Sequence, residues 1–326
     1  MLDNSVTGII LKIYFGFCLV IDIFSFILYT LILVFIGSRL IKKENLYSIG
    51  FYKLILFNGI LNLIYIFDEY IIYRIPQVGF FEYFYTDIFP ELLISKILDT
   101  YAIGQIVFSS LTGITITLNR FIAIKYPSKY NYFWKGWRLI LLCTWPLLIS
   151  IPVFVIFFEK EIGYELTPIG SVTPYYKEHY LNYFLWQVLV TIDSSTLCIN
   201  IVFNIILFYT IEKSDYLNKL SNNKQREMKL EISLAKFAVI YCTFFCILVC
   251  SEIAMIIAIY SEAIYIAENI YISFAIVDSV FIFFTPYTLL YLSHDFRRKF
   301  LLFIGCSKLW FFGNKSKTLV KTVKVP

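Results

Sequence analysis

Seven long apolar stretches separated by polar loops limit the folds open to this chain more than any other feature. An α-helix needs about 20 apolar residues to span the hydrocarbon core of a bilayer. The sequence predicts spans at residues 13–37, 49–73, 100–124, 139–158, 184–211, 236–260 and 269–292. We therefore expect an all-α membrane protein, a seven-transmembrane helix bundle over residues 13–292 without a separate soluble domain.

Basic residues indicate the orientation of this bundle. If the loop after the first span is cytosolic, all but five of the 28 Lys and Arg residues lie on the cytosolic side or at span ends next to it. The five on the other side are Lys12, Arg74, Lys96, Lys160 and Lys177. Short loops rich in Lys and Arg stay cytosolic. The prediction is a short extracellular N-terminus at 1–12 and a basic cytosolic tail at 306–326.

Composition and motifs argue against several other classes of protein. Hydrophobic residues make up 59% of the chain, above the roughly 45–50% of soluble domains. The net charge of +5 follows from the basic cytosolic loops, so we expect no nucleic acid partner. No cysteine lies in a predicted outer loop, and both histidines lie outside the spans, so we expect no outer disulfide, metal or cofactor. Gly-x-Ser-x-Gly and His-Glu-x-x-His motifs are also absent, which argues against an enzyme.

An arginine motif lies at the predicted cytosolic end of the third span. Asn119 and Arg120 stand there, and Pro127 follows the arginine by seven residues. This spacing resembles the Asp-Arg-Tyr…Pro pattern of rhodopsin-like receptors. Near the end of the seventh span, the segment Thr-Pro-Tyr-Thr-Leu-Leu-Tyr around Pro286 resembles their Asn-Pro-x-x-Tyr segment. Since Asn119 replaces their acid, an Asp–Arg pair within the third span cannot form.

Local sequence resembles a second group more closely. Leu-Asn-Arg-Phe at 118–121, Tyr-Pro-Ser-Lys-Tyr at 126–130 and Trp134 follow one another, and Phe-Tyr-Lys at 51–53 opens the second span. These segments resemble the nematode serpentine chemoreceptors of the Srg-type superfamily, class V or gamma. The resemblance covers essentially the whole membrane domain. It implies chemosensory receptors that signal through heterotrimeric G proteins.

Arg120 has two interpretations. A guanidinium at the membrane edge either switches between neighbouring helices and a partner's carbonyl groups, or only anchors its helix. The spacing to Pro127 and the segment around Pro286 favour the switch. In a receptor, basic residues on the cytosolic face would meet an acidic partner surface. The candidates for this contact are Lys224, Arg226, Lys229 and Arg297.

Acidic residues inside the spans are the second candidate site. Ionisable groups are unfavourable in the membrane and are functional candidates there. We predict an outward-facing cavity suited to a polar or cationic small molecule. Its candidate ligand-binding residues are Asp68, Glu69, Tyr73, Gln105, Asp193, Ser194, Glu252 and Asp278. The alternative is that these residues only form hydrogen bonds between packed helices, and this interpretation is favoured most strongly for Asp22.

The segment after the last span has the pattern of an interfacial helix. Phe296, Phe300, Phe303 and Ile304 form one apolar stripe beside basic residues. This pattern predicts a short amphipathic eighth helix over 293–305 on the cytosolic side. At its end, Cys306 is a candidate for lipidation, and the alternative is an unmodified thiol.

These features together predict a G-protein-coupled chemosensory receptor that spans the plasma membrane of a sensory cell. Its expected partners are a small-molecule ligand, a heterotrimeric G protein and membrane lipids. The sequence leaves open whether the chain forms a homo- or hetero-oligomer. The alternative is a seven-helix ligand-gated channel or small transporter, because Asp193, Glu252 and Asp278 would also mark an ion path. Against it, the sequence shows no inverted repeat or paired broken helices.

Overall fold

A computed structural model describes residues 4–44, 50–167, 171–215 and 222–305. Six helices in it are long and apolar enough to cross a membrane, and a bent pair of helices supplies a seventh span. The spans are numbered 1 (Asn4–Ile41), 2 (Gly50–Gln77), 3 (Leu93–Lys125), 4 (Trp137–Thr144 with Leu147–Phe158), 5 (His179–Asp215), 6 (Asn222–Tyr260) and 7 (Ile264–Leu292). The predicted seven-helix membrane bundle is thus confirmed, and its orientation stays a prediction.

Two strands between spans 4 and 5 add to the helical bundle. Strand β1 (Ile162–Leu166) pairs with β2 (Val172–Tyr176) in an antiparallel hairpin, with Ile162 opposite Tyr176. The first three residues of β1, Ile162 to Tyr164, are buried, whereas Glu165 and Leu166 are exposed, so the strand begins against the core and ends at the surface. The sequence predicted an irregular loop here. We call the end of the bundle that carries this hairpin the hairpin end and the opposite end the Arg120 end.

Span 2 is longer than predicted and has an irregular turn. A π-helical turn, Tyr70–Arg74, precedes a last helical turn, Ile75–Gln77. Proline lacks an N–H group and its ring clashes with a carbonyl one turn earlier, and the wider turn accommodates Pro76. The prediction that span 2 ends at residue 73 and that Arg74 lies in an outer loop is therefore wrong. The Arg74 side chain is buried inside the bundle.

Span 4 is broken where the sequence predicted one straight helix over 139–158. Its two halves meet at an angle of 40° on either side of Trp145 and Pro146. The Trp145 indole N–H donates to Thr115 Oγ1 of span 3 at 2.7 Å. Proline disrupts the backbone ladder, and this side-chain bond ties the bend to span 3.

Spans 3 and 6 approach each other closely at Gly113. A Cβ atom added there would overlap the ring of Tyr241, which in turn donates a 2.6 Å hydrogen bond to the Ser109 carbonyl. We expect Gly113→Ala to lower the free energy of unfolding by about 1–3 kcal/mol, because overpacking outweighs the better helix propensity of alanine. Thermal unfolding in detergent measures this effect. The matched control is Gly37→Ala, where the new Cβ meets no atom within 4 Å, and equal stability of the two variants would contradict the prediction.

A C-terminal helix, His294–Phe303, follows span 7. Its first turn is capped by the Ser293 hydroxyl, which accepts from the Phe296 N–H at 3.3 Å. Phe296 and Phe300 are buried and pack edge-on against Phe35 of span 1. Part of the predicted apolar stripe therefore docks the helix onto the bundle. Its place at the membrane stays a prediction, and Cys306 and the tail lie outside the described residues.

Candidate functional site

A cavity of about 130 Å³ lies inside the hairpin end of the bundle, between spans 2, 3, 5, 6 and 7 and the hairpin. We call it the inner cavity. Its polar and aromatic walls include Tyr73, Asp99, Tyr176, Trp186, Glu252, Tyr271, Phe274 and Asp278. A cavity of about 150 Å³ in an unrelated protein holds benzene, so a small molecule of similar size fits here.

Asp99 of span 3 is held by two tyrosine hydroxyls. Tyr73 Oη donates to its Oδ1 at 3.1 Å, and Tyr176 Oη of strand β2 donates to its Oδ2 at 2.9 Å. Burial and the adjacent Asp99 raise the pKa of the Tyr176 hydroxyl well above its usual range. Tyr176 therefore stays protonated and remains a donor. These bonds join the hairpin to spans 2 and 3 at the wall of the cavity.

Glu252 of span 6 has a second acid behind it. Asp193 of span 5 is fully buried and lies against Glu252 and Ser110, without a hydrogen bond of standard geometry to either. Two buried carboxyl groups side by side do not both ionise readily, because like charges repel strongly where water is excluded. The structure thus brings Asp193 and Glu252 together, but only Glu252 lines the inner cavity.

Asp278 of span 7 lines the inner cavity without a partner. It makes no hydrogen bond or ion pair with any residue in the described ranges, although the charges of Glu69 and Arg74 lie near enough to act on it. Asp68 of span 2 is buried and likewise has no hydrogen-bond partner among the described residues. Asp68 lies outside the cavity wall. Asp278 is therefore the cavity carboxyl group most open to a ligand.

Arg74 is the centre of a buried ion cluster. It pairs with Asp22 of span 1 and, at 2.7 Å, with Glu69 of span 2, and it donates to the Ala275 carbonyl of span 7 at 3.0 Å. Ser279 Oγ also donates to Asp22 at 3.0 Å. We call these residues the Arg74 cluster. It joins spans 1, 2 and 7, so Glu69 serves here as a partner of Arg74 and does not line the inner cavity.

The remaining predicted ligand residues lie elsewhere. Gln105 of span 3 donates to Ser109 Oγ at 3.2 Å and to Asn62 Oδ1 at 3.4 Å, in a polar contact between spans 2 and 3. Ser194 is half-buried on span 5 and lies outside the inner cavity. Of the eight predicted residues, the structure brings Tyr73, Glu252 and Asp278 to the cavity wall.

A second, wider cavity of about 490 Å³ adjoins the first at the hairpin end. We call it the vestibule. Its walls come from the hairpin and from spans 5, 6 and 7, and it shares Tyr175, Trp186 and Tyr271 with the inner cavity. Glu165, Glu262 and Glu268 line it together with His179. The vestibule is therefore an acidic space that adjoins the inner cavity.

At the other end of the bundle, Asn119 and Arg120 are both buried. The Arg120 guanidinium lies 4.4 Å from the centre of the Phe51 ring and donates to the Asn119 side chain. Asn119 donates in turn to Tyr130 Oη at 3.1 Å, on the short helix Pro127–Phe133. Pro127 begins this helix, where its missing N–H is not needed. Arg120 therefore packs inside the bundle, away from solvent.

Aromatic rings connect the middle of the bundle to Arg120. Phe281 and Tyr241 are 5.5 Å apart between ring centres, Tyr241 and Phe284 are 5.4 Å apart, and Phe284 and Phe237 are 5.3 Å apart. Phe237 then meets Phe51 at 5.5 Å. We call these five rings the aromatic column. They come from spans 2, 6 and 7, and Arg120 covers the last ring.

The other predicted switch residues lie on span 7, on the C-terminal helix and in the first turns of span 6. Pro286 lies within span 7, and Arg297 of the C-terminal helix donates to the Leu290 carbonyl at 3.0 Å. The remaining three, Lys224, Arg226 and Lys229, lie in the first turns of span 6, and their side chains are outside the described part of the structure.

Sequence reasoning missed Arg74, Asp99, Tyr176 and Trp186. Arg74 follows Glu69 and Tyr70 by about one helical turn, a spacing that would have indicated contact if the helix had been extended past Pro76. Asp99 was placed in an outer loop because span 3 was predicted to begin at residue 100, whereas it begins at Leu93. No pattern in the sequence indicates that β2 brings Tyr176 to Asp99.

Comparison with known proteins gives one informative result. The family model described as Srg family chemoreceptor matches residues 15–300, which include all seven spans from residue 15 onward and most of the C-terminal helix. No curated protein matches the chain. Within the described ranges, no group of three or more His, Cys, Asp or Glu residues is placed to hold a metal ion.

Proposed function

Because the chain belongs to the Srg family of chemoreceptors, we propose that it binds a small-molecule cue in the inner cavity and activates a heterotrimeric G protein at the Arg120 end. It is a multi-pass membrane protein, and the proposed location is the plasma membrane of a sensory cell, with the hairpin end outside. Of the residues predicted for ligand binding, Tyr73, Glu252 and Asp278 are the proposed contacts. Asn119, Arg120 and Pro127 form the proposed coupling region with Pro286 and Arg297.

Span 6 gives the main support for this proposal, because its residues belong both to the inner cavity and to the aromatic column. Leu248 and Glu252 line the inner cavity, while Phe237 and Tyr241 belong to the aromatic column. Fifteen residues separate Phe237 from Glu252, about 22 Å along an α-helix. A ligand that prefers one position of span 6 therefore alters the packing around Phe51 and Arg120. It shifts the equilibrium only by the difference in its affinity for the two states.

A recording of ligand responses tests this function. Cells displaying the chain are exposed to small polar and volatile compounds, and second messenger and membrane current are measured with and without a blocker of the Gα subunit. A second-messenger response that the blocker removes is the expected result. A current or uptake that survives the blocker would instead establish the channel or transporter and would reduce Arg120 to a membrane anchor.

A cavity-filling substitution connects the response to the inner cavity. We expect Leu248→Trp to raise the concentration of cue needed for half-maximal response by about tenfold or more, since tenfold corresponds to only 1.4 kcal/mol of lost binding. Leu248 lines the cavity, whereas its neighbour Ile247 is 49% exposed on the outside of the helix. Ile247→Trp is therefore the matched control. An unchanged response in Leu248→Trp would place the ligand elsewhere.

A further inference from the structure

We propose that the cue is a small organic ammonium ion, bound by the carboxylate of Asp278 and by the aromatic rings of Trp186, Tyr271 and Phe274. This inference rests on the proposed function, because it names the chemical class of ligand for the same inner cavity. The proposed ligand carries a positive charge, whereas acidic residues alone would bind a neutral hydrogen-bonding molecule equally well.

The walls of both cavities are acidic. Among the described residues that line the inner cavity and the vestibule, six are acidic and none is Lys or Arg. The six are Asp99, Glu165, Glu252, Glu262, Glu268 and Asp278. Clefts lined by charges of one sign raise the local concentration of ligands of opposite sign. The walls of the inner cavity and of the vestibule therefore attract cations and repel anions.

The buried cation Arg74 is already paired with other residues. Arg74 contacts Asp22 and Glu69, and it also donates to the Ala275 carbonyl at 3.0 Å and to Tyr70 Oη at 3.3 Å. Its charge is thus balanced by two carboxylates within the Arg74 cluster. Asp278 lies near enough to Arg74 and Glu69 for their charges to act on it, but it forms no ion pair or hydrogen bond within the described ranges. An ammonium group in the inner cavity would supply the missing partner.

The three acids of the inner cavity have different roles. Asp99 accepts hydrogen bonds from Tyr73 and Tyr176, so each of its oxygens is already bound to a tyrosine hydroxyl. Glu252 lies against Asp193, and such a pair shares its charge between two carboxyl groups. Asp278 is left as the carboxylate that can approach a ligand directly.

Aromatic rings line the same cavity as Asp278. Trp186 and Phe274 lie 5.4 Å apart between ring centres, and Tyr271 meets Tyr73 at 6.3 Å. Trp186, Tyr271 and Phe274 all line the same cavity as Asp278. The faces of aromatic rings attract cations, and aromatic cages are a known means of binding substituted ammonium groups. One carboxylate with several rings is therefore suited to an ammonium ion that carries apolar substituents.

Direct binding tests the inference without relying on signalling. The full chain, purified and reconstituted in lipid nanodiscs, is mixed with tetramethylammonium, choline or phenethylammonium, and binding is followed by thermal stabilisation and by quenching of tryptophan fluorescence. Each cation is compared with a neutral carbon analogue of the same shape. We expect stabilisation by at least one cation at millimolar concentration and none by its neutral analogue. Equal stabilisation by the neutral analogues, or no stabilisation by any cation, would overturn the inference.

Variants identify the residues that bind the cation. Asp278→Asn keeps the shape of the side chain and is expected to weaken cation binding by about 30-fold or more, as for removal of one partner of a buried charge pair. Glu82→Gln removes an exposed charge at the same end, outside both cavities, and is the control. Unchanged cation affinity in a folded Asp278→Asn protein would contradict the assignment.

Trp186→Ala is the second variant and does not alter any charge. We expect it to weaken cation binding between about twofold and 30-fold, the range of a cation–π contact. Trp137→Ala, at an exposed tryptophan far from the cavity, is its control. Equal cation affinity in these two variants would argue against the aromatic part of the site.

The test separates failure of this inference from failure of the proposed function. If a neutral or anionic compound drives a G-protein response that Leu248→Trp removes, the receptor function stands and the ammonium class is wrong. If ammonium ions bind and Asp278→Asn removes binding, while no G-protein response follows, the ligand class stands and the signalling function is wrong.

Discussion

Replacing Arg74 with methionine is expected to lower the free energy of unfolding by about 3–5 kcal/mol, the loss typical of removing one partner from a buried ion pair. Methionine retains much of the length and apolar volume of arginine, so the main change is the loss of charge. Asp22 and Glu69 would then remain buried without a cation. Ionised acids without a partner are strongly unfavourable inside a membrane.

A combined variant separates charge from packing. In the triple variant Arg74→Met, Asp22→Asn, Glu69→Gln the cluster carries no charge, and replacement of a buried ion pair as a whole is often close to neutral. We therefore expect the triple variant to regain most of the stability lost in Arg74→Met. The effects of the three substitutions should be far from additive, because both acids contact Arg74 directly.

Denaturant or thermal unfolding in one detergent measures both expectations. Arg39→Met is the matched control, since Arg39 pairs with Glu44 at a partly exposed position. Exposed ion pairs contribute about 0–1 kcal/mol, so this variant should be close to wild type. If Arg74→Met were as stable as Arg39→Met, the Arg74 cluster would not hold spans 1, 2 and 7 together.

The architecture follows from sequence because apolar length is a strong and local signal. Each span was recognised as a stretch long enough to cross the membrane. Recognising such a stretch requires no knowledge of contacts between residues that are distant in the sequence. The ends of the spans were harder to predict. Span 2 was predicted to end at residue 73, shortly before Pro76, whereas a π-helical turn lets the span continue and places Arg74 inside the bundle.

The site could be predicted only in part, for a similar reason. Glu252 and Asp278 were identified because an acid within a long apolar segment is conspicuous in the sequence alone. The contact between Asp99 and Tyr176 joins residues 77 positions apart, and it depends on a hairpin that the sequence did not indicate. In the sequence, Trp186 and Phe274 resemble any other apolar residues of a span, and only the structure shows that they line the same cavity as Asp278.

The burial of Arg120 decides which substitution can test its role. The sequence places it at the membrane edge, but the structure buries it completely against Phe51 and Asn119. An acid at this position would be buried and would disturb folding, so a neutral side chain that still donates a hydrogen bond is the better choice. Arg120→Gln meets this condition, because its amide can still donate to Asn119.

We expect Arg120→Gln to reduce G-protein activation by about tenfold or more, within the 5–150-fold range typical of coupling between two sites. Stability should fall by about 2 kcal/mol, the contribution of a cation–π contact away from water. Cue binding at the inner cavity should be unchanged, because the cavity is at the other end of the bundle. Nucleotide exchange on Gα, measured with equal amounts of receptor in nanodiscs, reports activation, and a binding assay on the same samples reports affinity.

The matched control for this substitution is Arg138→Gln. Arg138 also stacks on an aromatic ring, that of Tyr132, and it lies at the same end of the bundle, but it is partly exposed and separate from the aromatic column. If both variants lost activation equally, positive charge at the Arg120 end would matter and the buried position of Arg120 would not. If Arg120→Gln alone lost activation while retaining cue binding, Arg120 would connect the aromatic column to the G protein. Full activation by a well-folded Arg120→Gln receptor would leave it only a packing role against Phe51.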